Sequence, residues 1–280
     1  MTVRVPTVEW QVAGACNYDC SYCIQSRKYR KGRPKADQIE AALRFFATLP
    51  GQWEIKCSGG EAFAHALFMA RIVPGLMAQT DHRISILSNF SASTHVLHRF
   101  AELTRGRLSI FSASFHVEYA QAEAFAKKAA WFVSMLEPEA RFVVNQVVLP
   151  GREAEAAACR DIFEAAGLRW FPQLYKIKGG VAEYPDEDAL RLVIGDAPGP
   201  KQANTAPSYL GRRCWAGVDY LVVDKNGEAY SCRTARRHRQ GRLGNIFDDD
   251  VVRWRAPSRC PYTICPCTVP ANRGMIEGVQ

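Results

Sequence analysis

Apolar runs suited to strands alternate with segments of helical periodicity along the first two thirds of the chain. Short apolar or β-branched runs predict strands over residues 8–14, 53–57, 83–89, 108–116, 141–149 and 170–178. Apolar residues at helical spacing predict helices over 36–49, 64–79, 94–103, 121–136 and 153–166, and Pro74 is expected to kink or end the second. Six strands alternating with five helices predict an α/β fold with a parallel sheet, closed fully or partly into a barrel.

The pattern changes after residue 193. Residues 195–209 are rich in Pro, Gly and Ala without periodicity, and we interpret them as a linker. Beyond them, strands are predicted over 219–223 and 228–232, joined by Asn226-Gly227, which is a strong hairpin signal. The sequence therefore predicts an α/β barrel domain over 1–194, the linker, and a small cysteine-rich hairpin domain over 210–280.

Cysteines mark the two places where chemistry is expected. Residues 16–23 read Cys-Asn-Tyr-Asp-Cys-Ser-Tyr-Cys and follow the first predicted strand, and a Gly-Gly-Glu turn at 59–61 follows the second. Both lie at the C-terminal ends of strands, where parallel α/β proteins place their active sites. Three thiols can hold three irons of a cube and leave the fourth without a protein ligand, whereas clusters kept for electron transfer usually take four cysteines.

Composition narrows the setting. With 280 residues and 48% hydrophobic content the chain can bury a full core. It has no apolar run of membrane-spanning length, and its N-terminus lacks a signal-peptide core, so we expect a cytoplasmic protein with no membrane partner. Clustered cysteines in a reducing compartment favour metal binding over disulfides.

Positive charge is concentrated in two runs. The net charge is +8, and much of it lies in residues 27–35 and 233–242, each of which follows a cysteine. The runs are either solvated loops or a positive rim that attracts an anionic substrate. No recognised nucleic-acid module accompanies them, so nucleic acid is not indicated as a partner.

The N-terminal motifs resemble those of the radical S-adenosylmethionine (radical SAM) enzymes: Cys16-x3-Cys20-x2-Cys23, with Tyr22 before the last cysteine, and the Gly-Gly-Glu turn. The resemblance implies a partial (β/α)6 barrel, a 4Fe-4S cluster on the three cysteines, and S-adenosylmethionine on the open iron. It further implies that Gly59 and Gly60 admit the methionine amino group, that Glu61 balances its charge, and that Tyr22 lies against the adenine. A zinc or disulfide site on the same cysteines is the alternative.

Less specific candidates for cofactor binding and for a catalytic acid or base lie on the later strands. The family places polar residues for the ribose and carboxylate at the ends of strands three to five, where this chain has Ser88, Asn89, Ser112, Ser114 and Asn145. Alternation puts Ser112, Ser114 and His116 on one face of the fourth strand, opposite Phe111 and Phe115. Each polar residue could instead be a satisfied core group. His116, Glu118 and Lys176 are the candidates for a catalytic acid or base.

The C-terminal cysteines resemble the SPASM/twitch extension of the same superfamily. Cys214-x12-Gly227-x4-Cys232, followed by Leu-Gly-Asn-Ile at 243–246, is similar to the opening of that motif. Only Cys260, Cys265 and Cys267 remain after it. The resemblance therefore implies one auxiliary iron–sulfur cluster, as in a twitch domain, with five cysteines for at most four positions. A zinc ribbon is the alternative, and Cys57 and Cys159 are expected to be ordinary buried thiols.

The resemblance implies an enzyme that uses a reductant such as flavodoxin or ferredoxin to cleave S-adenosylmethionine into methionine and a 5′-deoxyadenosyl radical. An auxiliary cluster suits an oxidation, a dehydrogenation or a crosslink of a small-molecule or peptide substrate, and the basic runs favour an anionic one. Arg233 stands where sulfatase-maturating members carry an aspartate, which counts against that activity. A redox-neutral epimerase or cyclase and a non-catalytic iron–sulfur or zinc sensor are the alternatives.

Overall fold

The computed structural model describes residues 3–25 and 27–279 and contains the predicted alternation of strands and helices. The six strands are β1 (Thr7–Ala13), β2 (Glu54–Gly59), β3 (Arg83–Ser88), β4 (Leu108–Phe115), β5 (Arg141–Val148) and β6 (Trp170–Leu174). The helices between them are α1 (Ala36–Ala47), α2 (Val73–Gln79), α3 (Thr94–Leu103), α4 (Ala122–Val133) and α5 (Glu153–Ala165). The six strands are parallel neighbours in chain order, which confirms the α/β partial barrel.

Shorter elements make up the rest of the described chain. They are β7 (Lys176–Ile177), β8 (Gly180–Val181), α6 (Glu187–Ile194), β9 (Arg213–Cys214), β10 (Tyr220–Val223), β11 (Glu228–Tyr230), α7 (Arg233–Arg237), β12 (Arg242–Asn245), β13 (Ser258–Arg259) and α8 (Val269–Asn272). The hairpin of β10 and β11 does form, and β10 lies parallel to β1. Together with β12, this hairpin extends the barrel sheet to nine strands. The division of the chain at residues 195–209 stays a prediction.

Two predicted elements, a helix and a strand, differ from the prediction for local reasons. The helix predicted over 64–79 is a π-helical turn, Phe68–Ile72, that leads into α2. Pro74 lies in the first turn of α2, where its missing N–H is not needed, so it starts that helix rather than ending one. The strand predicted over 170–178 ends at Leu174, and β7 pairs with β8 instead.

The two faces of the sheet have opposite character. Along β1, Val8, Trp10 and Val12 are fully buried in the main apolar core. Glu9 and Gln11 alternate with them and point into the barrel interior. The interior of the barrel therefore carries polar side chains from β1 beside apolar ones such as Ile110 and Val143, while the helix-covered face carries the main core. Within the described residues, no helix has the length and apolar character needed to cross a membrane.

A buried ion pair ties the C-terminal segment to the start of the barrel strands. Glu54, 1% exposed at the beginning of β2, accepts hydrogen bonds from Ser85 Oγ (2.7 Å) and Ser109 Oγ (3.0 Å). Arg273, which follows α8, pairs with the same carboxylate. Burial alone would raise the pKa of Glu54, but the Arg273 guanidinium and the Ser85 hydroxyl hold it below its usual range.

Candidate active site

One cavity of about 710 Å³ occupies the barrel interior and is lined from all six parallel strands. Cys16, Cys20 and Cys23 border it from the loop after β1, and Cys267 borders it from the C-terminal segment. Its volume is that of a pocket for a small-molecule ligand. The N-terminal cysteines and one C-terminal cysteine therefore face a common space.

Strand β4 presents its predicted polar face to this cavity. Ser112, Ser114 and His116 line the cavity, while Phe111 and Phe115 are buried in the apolar core. The period-two alternation expected from the sequence is thus present.

The three N-terminal cysteines have the chemistry of cluster ligands. All three are free thiols. Burial, followed by the negative charges of Cys23 and Glu118, raises the pKa of Cys20 to about 12. Three free thiols on one loop that borders the cavity are the donor type that iron–sulfur clusters take.

In the part of the chain described, no group of three His, Cys, Asp or Glu side chains is arranged to hold a metal ion.

The loop after β4 holds the cysteine loop in place. Ser21 N–H donates to Glu118 Oε2 (2.9 Å), and the Ser21 hydroxyl donates to the other oxygen of the same carboxylate. The Asp19 N–H donates to Tyr119 Oη (2.8 Å), and the Tyr119 ring stacks on Tyr18 with centroids 4.2 Å apart. Glu118, a candidate acid or base, thus has both oxygens engaged with the cysteine loop, and its catalytic role stays a prediction.

His116 belongs to the same contact. Its Nδ1 lies 3.1 Å from Tyr22 Oη and 3.5 Å from Cys20 Sγ. Burial lowers the pKa of His116 to about 4, although the Glu118 carboxylate acts in the opposite direction. The imidazole is therefore neutral near pH 7, beside both a cysteine and the tyrosine predicted to meet the adenine. The role of His116 as an acid or base and the contact of Tyr22 with the adenine stay predictions.

The Gly-Gly-Glu turn is built against the cysteine loop. Gly60 N–H donates to Ala13 O (2.8 Å) and Glu61 N–H donates to Ala15 O (3.0 Å). A Cβ on Gly59, whose φ is +139°, would lie 2.1 Å from Ala13 O, and a Cβ on Gly60 would lie 2.0 Å from Ala15 O. The close approach of the two backbone segments is by itself sufficient to require glycine at both positions. Both glycines also line the cavity.

Glu61 lies beneath the cavity surface rather than on it. Its carboxylate, 1% exposed, accepts from Ser88 Oγ (2.8 Å), Asn89 N–H (2.6 Å) and Phe63 N–H (3.1 Å). Burial raises the pKa of Glu61 despite these bonds. The carboxylate joins the ends of β2 and β3, and its role toward a ligand's amino group stays a prediction.

The remaining cofactor candidates fall into two groups. Ser88 is bonded to Glu61, and Asn89 donates to Asn17 Oδ1 (2.9 Å) in the cysteine loop, so both have structural partners. Ser112 and Ser114 have no hydrogen-bond partner among the described residues, and Asn145 makes only long bonds of 3.4 Å. Of the five candidates, the β4 and β5 residues keep polar atoms available to a ligand.

The C-terminal cysteines surround a second centre. Cys214, Cys232 and Cys267 pack around the apolar group that contains Tyr220 and Met275. Burial, together with the nearby Cys232 and Cys260, raises the pKa of Cys214 to about 11. Cys265 likewise has its pKa raised by burial and by Cys267, Cys232 and Cys214. All five are free thiols, and their joint role as ligands of an auxiliary cluster stays a prediction.

A buried ion pair at this centre was missed by the sequence analysis. Glu9 receives two bonds from Arg233, at 2.9 and 2.6 Å, and one from Tyr220 Oη at 2.7 Å. Although burial would raise it, the Arg233 charge lowers the pKa of Glu9 to about 2. The signal was present in β1, where Glu9 and Gln11 recur at period two in an otherwise apolar strand.

The second basic run is therefore not a solvated loop. Arg233 and Arg236 lie on α7, which begins where Cys232 Sγ accepts from the Ala235 N–H (3.2 Å). Arg236 bonds Gln11 and lies 3.9 Å from Asp224. Much of the run faces the cavity, which favours the rim interpretation over the solvated one.

Lys176, the third candidate acid or base, lines the cavity just after β6. Burial, followed by the charges of Arg237 and Arg233, lowers the pKa of Lys176 to about 8, against the opposite effect of Cys267. A lysine with such a pKa can exchange a proton near neutral pH, but its catalytic role stays a prediction.

Comparison with known proteins rests on structure alone. No protein-family model and no curated protein matches this sequence. Among solved structures, anSMEcpe with bound AdoMet (S-adenosylmethionine) is 14% identical, with 86% of this chain and 78% of that one aligned at a TM-score of 0.60. Streptococcus suis SuiB bound to S-adenosylmethionine is 13% identical over 88% of this chain, at a TM-score of 0.63, although the alignment covers only 64% of SuiB.

BtrN in complex with AdoMet and 2-DOIA is 15% identical over 89% of this chain and 81% of BtrN, at a TM-score of 0.51. These neighbours are radical SAM enzymes. The chain has the fold of the radical SAM enzymes. The resemblance drawn from Cys16-x3-Cys20-x2-Cys23 is thus confirmed at the level of the fold, and the motif lies on the loop where the radical SAM fold opens its cavity.

Proposed function

We propose that the protein is a radical SAM enzyme that reductively cleaves S-adenosylmethionine and uses the 5′-deoxyadenosyl radical to take a hydrogen atom from an anionic small-molecule or peptide substrate. The substrate then gives up one electron to an auxiliary iron–sulfur cluster and one proton, which yields an oxidation, a dehydrogenation or a crosslink. The observation that carries the proposal is a cavity bordered on one side by Cys16, Cys20 and Cys23 and on the other by residues 266–269 of the cysteine-rich C-terminal segment.

Cys16, Cys20 and Cys23 would hold the first cluster. When bound, a four-iron cluster with one open iron supplies the electron that splits the sulfonium cofactor. The loop after β4 keeps these three thiols in place through Glu118 and Tyr119. The turn at Gly59 and Gly60 packs directly against the backbone of Ala13 and Ala15 and lines the cavity beside these thiols.

The substrate would bind deeper in the barrel. Ser112, Ser114 and Asn145 offer polar atoms there, and the barrel strands shield the space from bulk water, which protects a reactive radical. The C-terminal cysteines would hold the auxiliary cluster beside this space. An external reductant such as flavodoxin or ferredoxin would deliver the electron to the first cluster.

Neighbouring structures support both substrate types. SuiB has been solved bound to its precursor peptide SuiA, anSMEcpe with the Cp18Cys peptide, and BtrN with 2-DOIA. The positive residues along the cavity distinguish this chain by favouring an anionic substrate. We therefore place an anionic group on the substrate, whether that substrate is a peptide or a small molecule.

The first test measures cofactor cleavage without a substrate. Anaerobically reconstituted protein with dithionite and S-adenosylmethionine is expected to form 5′-deoxyadenosine and methionine in equal amounts. Cys20→Ala should abolish both products, while Cys159→Ala, which removes a buried helical thiol, should leave them unchanged. Absence of 5′-deoxyadenosine from iron-loaded wild-type protein would contradict the proposal.

A further inference from the structure

The cavity wall beside Cys267 carries more positive charge than the protein itself balances. Lys56, Lys176, Arg233 and Arg237 all line the cavity. Arg233 binds the Glu9 carboxylate through two bonds, and Lys56 acts on the carboxylates of Glu9 and Glu54. Among the described residues, Cys267 is the one group of opposite charge that acts on Lys176 and Arg237.

Lys176 and Arg237 are the two members of this group best placed to meet a ligand. Lys176 is half-buried after β6, and Arg237 is exposed on α7, at the cavity edge. No carboxylate is among the charges that act on either side chain, and each feels the repulsion of Arg233. Among the described residues neither has an ion-pair partner, whereas the neighbouring Arg236 faces Asp224.

Such an arrangement is costly without a counter-ion. Like charges brought together on a partly desolvated wall repel, and each has lost part of its hydration. An oxyanion between an ammonium and a guanidinium relieves both effects, because it accepts charge-assisted hydrogen bonds from each donor. The wall is therefore better suited to an anion than to a neutral or cationic ligand.

We propose that Lys176 and Arg237 form a binding site for an oxyanion group of the substrate, a carboxylate or a phosphate, which anchors the substrate beside Cys267. The site deepens the proposed function, on which it rests, by placing the charged end of the substrate at the auxiliary cysteines. The rest of the substrate then extends through the cavity toward Ser112 and Ser114 and the N-terminal cysteine loop.

The test measures binding of simple oxyanions to the full chain, purified anaerobically, with no S-adenosylmethionine present. Calorimetric titration with inorganic phosphate and, separately, with acetate at constant ionic strength is expected to show saturable binding. Lys176→Gln and Arg237→Gln should each weaken it on the order of tenfold, and the double variant should abolish it. A matched control, Lys178→Gln/Arg255→Gln, removes the same charge from exposed residues outside the cavity lining and should leave binding unchanged.

The outcomes distinguish an oxyanion site from a pair of cations that balances the charge of an auxiliary cluster. They also test this site separately from the proposed function. Phosphate without acetate would assign a phosphoryl group, and binding of both would admit a carboxylate. Protection of Lys176 by phosphate from amine acylation, located by peptide mass, reports the site independently of folding defects in the variants. If the double variant binds phosphate normally and instead shifts the potential of an auxiliary cluster, the two cations balance that cluster and the proposal is wrong. Formation of 5′-deoxyadenosine in protein that binds no oxyanion would leave the proposed function intact.

Discussion

The cavity is bordered by the N-terminal cysteines on one side and by Cys267 on the other, and the charges around these thiols differ. The charges that act on Cys20 are negative: Cys23, Glu118 and Cys16. Cys267 is acted on first by the negative Glu9 and then by the positive Arg233 and Lys56. A sulfonium cofactor is positive and suits the first wall, whereas an oxyanion suits the second. This difference in charge would orient two ligands in one cavity, because the cationic cofactor would be repelled from the wall at Cys267 and the anionic group of the substrate from the wall at Cys20.

The two sets also differ in how they are held. The N-terminal loop is fixed mainly by a few side-chain bonds from the loop after β4, among them those of Glu118 and Tyr119. The C-terminal segment is part of the folded core, because β10 pairs with β1 and Arg273 pairs with the buried Glu54. A locally held loop can open for a cofactor, while the auxiliary centre stays fixed to the sheet.

The largest expected effect concerns which of the C-terminal cysteines bind iron. Cys267 alone among the five lines the described cavity, and its Sγ lies 3.7 Å from the Glu9 carboxylate, a poor neighbour for a thiolate. Cys265 is influenced mainly by other cysteines, Cys267, Cys232 and Cys214. We expect Cys265→Ser to lose about four of about eight irons per chain and Cys267→Ser to keep them.

Iron and sulfide analysis of anaerobically reconstituted variants, with electron paramagnetic resonance of each cluster, checks this expectation. Cys57→Ser, which changes a buried strand thiol, is the control and should retain all iron. Loss of the auxiliary signal in Cys267→Ser with its retention in Cys265→Ser would reverse the assignment, and Cys267 would then belong to the cluster.

A smaller effect is expected where the C-terminal segment is tied to the barrel. Arg273→Met would leave the Glu54 carboxylate buried without its cation, which we expect to cost about 3 kcal/mol of unfolding free energy. Arg242→Met breaks an exposed ion pair with Glu228, which water screens, and should cost much less than Arg273→Met. Denaturant unfolding of both variants at pH 7 makes the comparison.

The same pair gives a pH dependence of definite sign. The pKa of Glu54 lies below its ordinary 4.5 in the folded protein, so the pair contributes stability above that value and loses it as the pH falls. In Arg273→Met the largest effect that opposes burial is lost and only Ser85 and Lys56 still oppose it, so the pKa of Glu54 rises and protonation at low pH costs the folded state less than in the wild type. The stability gap between wild type and variant should therefore narrow below about pH 4.5. A gap that stays constant from pH 7 to pH 4 would show that Glu54 does not respond to Arg273.

Local patterns predicted the barrel, and non-local contacts explain what they missed. The strands, the position of residues 16–23 and the polar face of β4 all follow from periodicity and neighbouring residues. The pairing of Thr7 with Tyr220, and the Glu9–Arg233 ion pair, join residues more than 200 positions apart, which no local pattern encodes. Helix α7 was not predicted because its N-cap residue is a cysteine, which is not among the usual N-cap residues.

The smallest expected effect concerns the way in which the N-terminal loop is held. Glu118→Gln keeps one carbonyl acceptor where the carboxylate now receives both the N–H and the hydroxyl of Ser21. One charge-assisted bond is lost near the surface, so opening of the loop should become on the order of tenfold easier, and the free energy of global unfolding should fall by the same amount, about 1.4 kcal/mol. Since Cys20 lies next to Ser21, easier opening should release iron from the first cluster about tenfold faster, while the auxiliary cluster is unaffected.

Release of iron to a chelator, followed separately for the two clusters by their electron paramagnetic resonance signals, measures this effect. Glu123→Gln removes an exposed carboxylate from the first turn of α4 and should leave both release rates unchanged. Glu118→Asp, which keeps two acceptor oxygens on a shorter side chain, should restore part of the protection. Equal release rates in wild type and Glu118→Gln would mean that the loop is held by its backbone and by Asn89 rather than by this carboxylate, and the contrast between a locally held and a core-held cysteine set would lose its main support.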